Sequence, residues 1–341
     1  MIPASVAASA ILTMLAKGLA ILGVAAVAAV VLRRRSAAVR YVAWAVGMTG
    51  LLALPLLSPL VPAWRISLPT MIAPAVTVEF ARAPAAADPV GRTSRAQWPA
   101  PSHTPSRPAV ADRASEPAGF SLSALADLPW PLLLTALWVA GSVIAIVRLV
   151  VGLIRVEGVR RRAAALDVAE WRDDMDTCAA QLGLSYDVDL LTSDEVQVPM
   201  TCGWRRPAVL VPTVALHWSD ERRRVVLLHE LAHVRRGDFA AHVGASLAAA
   251  LHWLDPLAWI AIKRMRRERE GACDDLVLAS GAGAPDYAEH LLDIARTLTN
   301  RPAPAVALAM ARRSELEGRL LAILDNARAR GTARPLSLIH I

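Results

Sequence analysis

His229 and His233 stand four residues apart in the stretch VVLLHELAHVRRGD (225–238), with Glu230 directly after the first. On a helix, positions i and i+4 share a face, so both imidazoles can reach one metal ion. Glu230 projects near enough to hold a water at that metal. This H-E-x-x-H arrangement is that of a zinc hydrolase, in which the metal acidifies water and the carboxylate takes its proton. A short motif also arises by accident on a surface helix, so the surrounding chain must decide.

The helix that carries the motif is well specified. Ser219 can cap its start, Asp220 and Glu221 put negative charge in its first turn, and Arg235 and Arg236 put positive charge in its last. Gly237 is the C-terminal stop.

A catalytic zinc needs a third protein ligand and an open position. The candidates downstream are His242, His252, Glu268, Glu270 and Asp274. In RREREGACDD (266–275), Glu270 and Asp274 are four apart and share a helical face. Glu270 then reads as ligand, with Asp274 accepting a hydrogen bond from a ligating imidazole. Glu268 points off that face, toward the arginines. The metzincin spacing H-E-x-x-H-x-x-G-x-x-H is excluded, because positions 236 and 239 are Arg and Phe. Cys273 is the one nearby thiol, and its offset from Glu270 disfavours joint ligation.

The elements that must carry this site are unusually apolar. The 341 residues are 55% hydrophobic, with mean hydropathy +0.40 and pI about 10.1, and the apolar residues come in blocks. The net charge of +7 is almost wholly arginine, since Lys17 and Lys263 are the two lysines. These arginines sit beside the apolar blocks, as the positive-inside rule requires, which argues against direct nucleic-acid binding. Cys178, Cys202 and Cys273 form no C-x-x-C pair and read as reduced thiols.

Residues 1–62 predict a two-span hairpin, Ala7–Leu32 and Tyr41–Val61, joined by the cytoplasmic link Arg33–Arg40. Arginines follow the first block instead of preceding it, so it reads as a retained span with the N-terminus outside, not a cleaved signal peptide. Lys17 must face a bundle interior or a wet cavity, unless the true span starts just after it, and Trp44 and Trp64 are candidate interfacial anchors. Residues 63–127 are rich in Pro and Ala and predict a disordered extracytoplasmic loop, in which only Ser67–Phe80 alternates like a strand. His103 there is a linker residue. A third span covers 128–153, followed by Arg155, Arg160, Arg161 and Arg162.

Residues 154–330 predict a cytoplasmic α+β domain: a helix over Asp167–Gly183, then short strands at Val188–Leu191 and Val196–Pro212 with a turn at Gly203, leading into the motif helix. One strand could hold substrate by backbone pairing or be plain core. Phe239–Ile262 is apolar but broken by His242, His252 and Asp255-Pro256. It predicts two buried or membrane-grazing helices, not a fourth span. A further helix is expected over Ala311–Arg330 with Leu316, Leu320, Ile323 and Leu324 inward. The tail 331–341 ends in PLSLIHI, which resembles translated adapter read-through, so a longer natural protein is expected.

The runs VPMTCGWRRPAVLVP, SDERRRVVLLHELAHVRRGD, DPLAW, RREREGACDDLVL and DYAEHLLDIA resemble, in order and spacing, the BlaR/MecR-type membrane zinc metallopeptidases. The resemblance covers the three spans and nearly all of Arg155–Asp325. It implies a mainly α membrane protein with a gluzincin-like domain, Zn²⁺ on His229, His233 and Glu270, and Glu230 as general base. It further implies a bacterial inner-membrane antirepressor whose cytoplasmic protease cleaves itself, a cytoplasmic repressor, or both. A homodimer is compatible with the sequence and not required by it. No S-x-x-K acylation motif occurs, since neither lysine has Ser three residues before it, so β-lactam sensing by this chain is not supported. The competing readings are a housekeeping membrane protease of the Ste24/HtpX type and a non-catalytic membrane signalling scaffold. The proline-rich loop and the three-span prelude disfavour the first, and the intact Glu230 disfavours the second.

Overall fold

A computed structural model of the chain describes residues 4–57, 130–299, 306–325 and 327–331. The expected loop 63–127, with Ser67–Phe80 and His103, lies outside them, as do Trp64 and all of the tail beyond residue 331.

Among the described residues, three helices are long and apolar enough to cross a membrane. They are α1 (Ala4–Val31), α2 (Ala37–Leu57) and α3 (Trp130–Arg162). A 3-10 turn at Leu32–Arg34 joins the first two. The third does not stop near Leu153. Nothing in 154–162 breaks a helix, and Glu157 pairs with Arg160 at 3.0 Å and Arg161 at 2.8 Å across one turn. Span and following domain therefore share one continuous helix. Trp44 is not an interfacial anchor: it is 7% exposed, within a core that joins Leu22 and Met48 to Ala245 and Ala258.

After α3 come β1 (Ala164–Ala165), α4 (Ala169–Leu182), β2 (Asp189–Ser193), β3 (Met200–Cys202) and β4 (Ala208–Pro212). The sheet order is β1-β2-β4-β3. β2 and β4 run parallel, while β3 turns back antiparallel on β4 with Thr201 opposite Val209. β4 is buried along its whole length, as a continuous Ala-Val-Leu-Val run should be, and β3 is an edge. The β3–β4 turn needs Gly203. Its φ is +86°, and a Cβ there would lie 2.4 Å from the Arg206 carbonyl oxygen.

The motif helix α5 (Asp220–Arg236) follows a 3-10 turn at Thr213–His217. The Ser219 hydroxyl accepts from the Arg222 amide, and Gly237 ends the helix at φ +65°. α4 lies against α5, where Arg223 pairs with Asp174 at 2.5 Å and sits over the Trp171 ring. Leu227 and Leu231 of α5 enter the main core with Trp171, Met175, Val209 and Val211.

The apolar stretch beyond Asp238 forms two helices, α6 (Asp238–Leu251) and the first half of α7 (Pro256–Ala279). The Asp255 side chain caps α7 by accepting from the Leu257 amide at 2.8 Å. Both pack on the spans: Ala245, Ala248, Ala258 and Ala261 meet Leu22, Met48 and Leu51. These small side chains let the backbones approach closely. The second half of α7 crosses α5 while Ala272 still packs on Ala37 and Ala38 at the start of α2.

Two helices complete the fold, α8 (Ala284–Thr299) and α9 (Val306–Leu324). α9 stops short of the expected Arg330, and Leu324 is half exposed while Ile323 is buried. The helix ends because Asp325 folds its carboxylate onto the Ala327 amide and the Arg330 guanidinium takes the Ile323 carbonyl.

Candidate metal centre

α5 brings His229 and His233 to one face, 4.9 Å apart between ring centroids. α7 crosses that face and lays Glu270 against them. Glu270 Oε2 is 3.6 Å from His229 Nε2 and 3.9 Å from His233 Nε2. These atoms form a cluster able to hold a metal ion. Bonds of about 2.0–2.2 Å in a tetrahedron would set ligand atoms about 3.3–3.6 Å apart, at or a few tenths of an ångström inside the distances here. Two imidazoles and one carboxylate suit zinc, with a position left for water or substrate.

Each imidazole is oriented through its other nitrogen. His229 Nδ1 lies 2.9 Å from the Tyr287 hydroxyl, which donates to Asp274 Oδ1 at 2.6 Å. With its proton given to Asp274, the Tyr287 oxygen is free to accept from His229 Nδ1, which leaves Nε2 as the nitrogen that faces Glu270. Asp274 Oδ1 itself is 3.4 Å from His229 Nδ1, so the tyrosine hydroxyl and the expected partner both face this nitrogen, the hydroxyl closer. His233 Nδ1 bonds Asp238 Oδ2 at 2.9 Å, and Arg236 Nε reaches the same oxygen at 3.1 Å. Both arrangements fix which ring nitrogen meets the metal.

Arginines balance the carboxylates. Arg319 from α9 donates to both oxygens of Asp274, at 2.7 and 3.0 Å, and lies 3.4 Å from Glu270 Oε2. Arg269 holds the other Glu270 oxygen at 2.8 Å. Burial pushes both carboxyls up, but the neighbouring guanidiniums and imidazoles outweigh it, so Glu270 and Asp274 stay well below the usual carboxylate range. Asp238 is likewise held low against its burial, by His233 and Arg236. Burial opposes protonation of His229, yet Asp274 and Glu270 prevail and push it up to about 9.

Glu230 is buried, and the Thr201 hydroxyl sits 2.7 Å from its Oε2 and 3.0 Å from its carbonyl oxygen. Edge strand β3 thus touches the candidate base directly. Glu268 lies off the cluster and pairs with Arg40 of α2 at 2.7 Å. His242 and His252 lie apart, on and beyond α6. A second group, His233, Asp238 and Cys273, also has ligand-type atoms in proximity. It would have to use the His233 Nδ1 already bonded to Asp238. Burial also keeps the Cys273 thiol far above its ordinary range, hence protonated. The first group is therefore the better metal site.

Sequence reasoning singled out His229, Glu230, His233, Glu270 and Asp274, and it missed Tyr287, Arg319, Asp238 and Thr201. Asp238 had a local signal: Gly237 in the left-handed conformation turns the chain so that the next residue faces back toward His233. Tyr287 and Arg319 arrive from separate helices, with no spacing that ties them to the motif.

The sequence matches the family described as BlaR1 peptidase M56 over residues 8–323. Among individual relatives, the regulatory protein BlaR1 of Bacillus licheniformis is 26% identical over 143 residues, 42% of this chain and 24% of the relative. The methicillin resistance mecR1 proteins of Staphylococcus aureus and Staphylococcus epidermidis are 21% identical over 144 residues, with the same coverage. The match thus spans about a quarter of the length of these relatives. The chain belongs to the BlaR1 peptidase M56 family.

Proposed function

We propose that this family member is a membrane-anchored zinc endopeptidase of the gluzincin type, acting in signal transduction from the cytoplasmic face of a bacterial inner membrane. Its substrates on this reading are itself, a cytoplasmic transcriptional repressor, or both. The observation that carries the proposal is the convergence of His229 Nε2, His233 Nε2 and Glu270 Oε2 beside Glu230.

His229, His233 and Glu270 would hold a zinc ion, which when bound would supply Lewis-acid polarisation of the scissile carbonyl and acidify a water. Glu230 takes that water's proton and delivers it to the leaving nitrogen. The Thr201 hydroxyl holds the carboxylate in place, and its strand β3 is an edge of the sheet among the described residues, on which an extended substrate segment can pair. Tyr287, Asp274 and Asp238 keep the imidazole lone pairs turned inward. Arg319 and Arg269 keep Glu270 and Asp274 ionised.

Arginines at 33–40 and 155–162, at the C-terminal ends of α1 and α3 and the N-terminal end of α2, support a reading with the N-terminus outside and the metal centre inside. The test is cleavage of a repressor encoded beside this gene by the full chain in vesicles. Wild type is expected to cut it in a zinc-dependent manner. Glu230→Ala should keep its zinc and lose cleavage; equal cleavage by that variant refutes the mechanism.

A further inference from the structure

The turn between α6 and α7 has inverted polarity. Its two ionisable residues, His252 and Asp255, are each 1% exposed, whereas Leu254, Trp259 and Ile260 are 37%, 45% and 47% exposed. A loop facing water does the reverse, because burying charge-bearing groups costs free energy and burying apolar ones gains it. The turn also sits deep among the spans. A Cβ on Gly18 of α1 would lie 3.4 Å from both His252 Nδ1 and Asp255 Oδ2, and 3.0 Å from Leu51 of α2. The third span grips the turn as well. Trp138 donates its indole N–H to the Leu251 carbonyl at 3.0 Å, and Trp253 donates back to the Trp138 carbonyl at 3.1 Å. Gly141 leaves room for that Trp253 ring, since a Cβ there would come within 2.2 Å of it.

These contacts give four separate measures of depth. Helical rise places Gly18 about 22 Å from Arg33, Leu51 about 16 Å from Arg40, Gly141 about 21 Å from Arg155, and Asp255 about 12 Å from Lys263. Each basic residue marks the cytoplasmic end of the apolar stretch of its helix. With a hydrocarbon core about 30 Å thick, all four put the turn near the middle of the bilayer.

We propose that α6 and the first half of α7 form a re-entrant membrane hairpin that enters and leaves on the cytoplasmic side. Leu254, Trp259 and Ile260 face lipid acyl chains, and His252 and Asp255 are turned into the span bundle. Val143, Ile144 and Val147 of α3, the span that grips the turn, are likewise exposed. Backbone hydrogen bonding at that depth is met by the two helices, the Asp255 cap and the tryptophan pair. The proposal rests on the reading of α1, α2 and α3 as membrane spans.

The test is nitroxide labelling of the full chain in vesicles, with collision rates measured for oxygen, which concentrates in lipid, and for a water-soluble nickel complex. The three native cysteines are buried and stay unlabelled. A label at Leu254→Cys should show an oxygen-to-nickel ratio several-fold above one at Val214→Cys, on the domain surface, and equal to or above one at Val147→Cys on α3. Ile260→Cys repeats the measurement should Leu254→Cys misassemble. A lipid signal at Val147 with an aqueous signal at Leu254 and Ile260 overturns the hairpin while leaving the spans intact. Aqueous signals at all three sites overturn the membrane reading itself.

Discussion

Removing one hydroxyl should measure how much of the metal affinity comes from orienting an imidazole. In Tyr287→Phe the ring remains, and the bonds to His229 Nδ1 at 2.9 Å and Asp274 Oδ1 at 2.6 Å are lost. Asp274 Oδ1, at 3.4 Å from the imidazole, must then move in by about 0.5 Å to make a normal N–H···O contact. Arg319 pins both oxygens of that carboxylate and resists the shift. Loss of a partner to a metal-bound histidine costs about 10- to 100-fold in affinity. Because Asp274 can partly replace the tyrosine, the lower end is expected, about 10-fold or about 1.4 kcal/mol. Zinc competition against a chromophoric chelator in detergent reads this directly, and in Tyr287→Phe/Asp274→Asn the loss should exceed either single change. An affinity within about twofold of wild type would show that Tyr287 does not orient His229, since even the lower bound is larger.

Three further outcomes are expected. Arg319→Leu leaves the buried Asp274 without its guanidinium, and Glu270 with Arg269 alone, and should lower stability by about 3 kcal/mol, read as a lower denaturation midpoint in the metal-free protein. Thr201→Val removes the hydroxyl on Glu230 and should lower kcat by about 10-fold with zinc content unchanged; an unchanged kcat would count against a positioning role. Burial pushes the Cys178 and Cys202 thiols up to about 11 from an ordinary 9. The neutral thiol is therefore favoured on folding, a stabilisation present below pH 9 and lost as pH rises toward 11. Thiolate at pH 8 should fall about 100-fold, so alkylation of the native protein at that pH should be negligible and rise steeply above pH 10.

What could be read in advance was local. The ends of α5 follow from Ser219 and Gly237, and the facing of His229 with His233 and of Glu270 with Asp274 follows from helical spacing alone. The long-range parts were hidden for a physical reason. Tyr287 lies on an amphipathic helix and Arg319 among apolar neighbours, so each reads as ordinary core or surface until α8 and α9 close over α5. Trp44 misled because an aromatic near a span end has the same composition signal whether lipid or protein covers it. What covers it here is α6 and α7, whose own apolar stretch was too short and too interrupted to announce a place among the spans.

One unbroken helix carries both Asp255, at its capped deep end, and Glu270, at the metal centre. Helical rise and twist fix their separation at about 22 Å and their angular phase at about four turns and a fraction. A surface loop absorbs an extra residue by bulging, but this segment has no such slack. One residue inserted between Pro256 and Arg269 would misplace Glu270 by rotation before distance: the carboxylate would swing through about 100° and advance about 1.5 Å. Length variation in this stretch should thus be far less tolerable than substitution, because only length changes put the ligand out of phase with the two histidines.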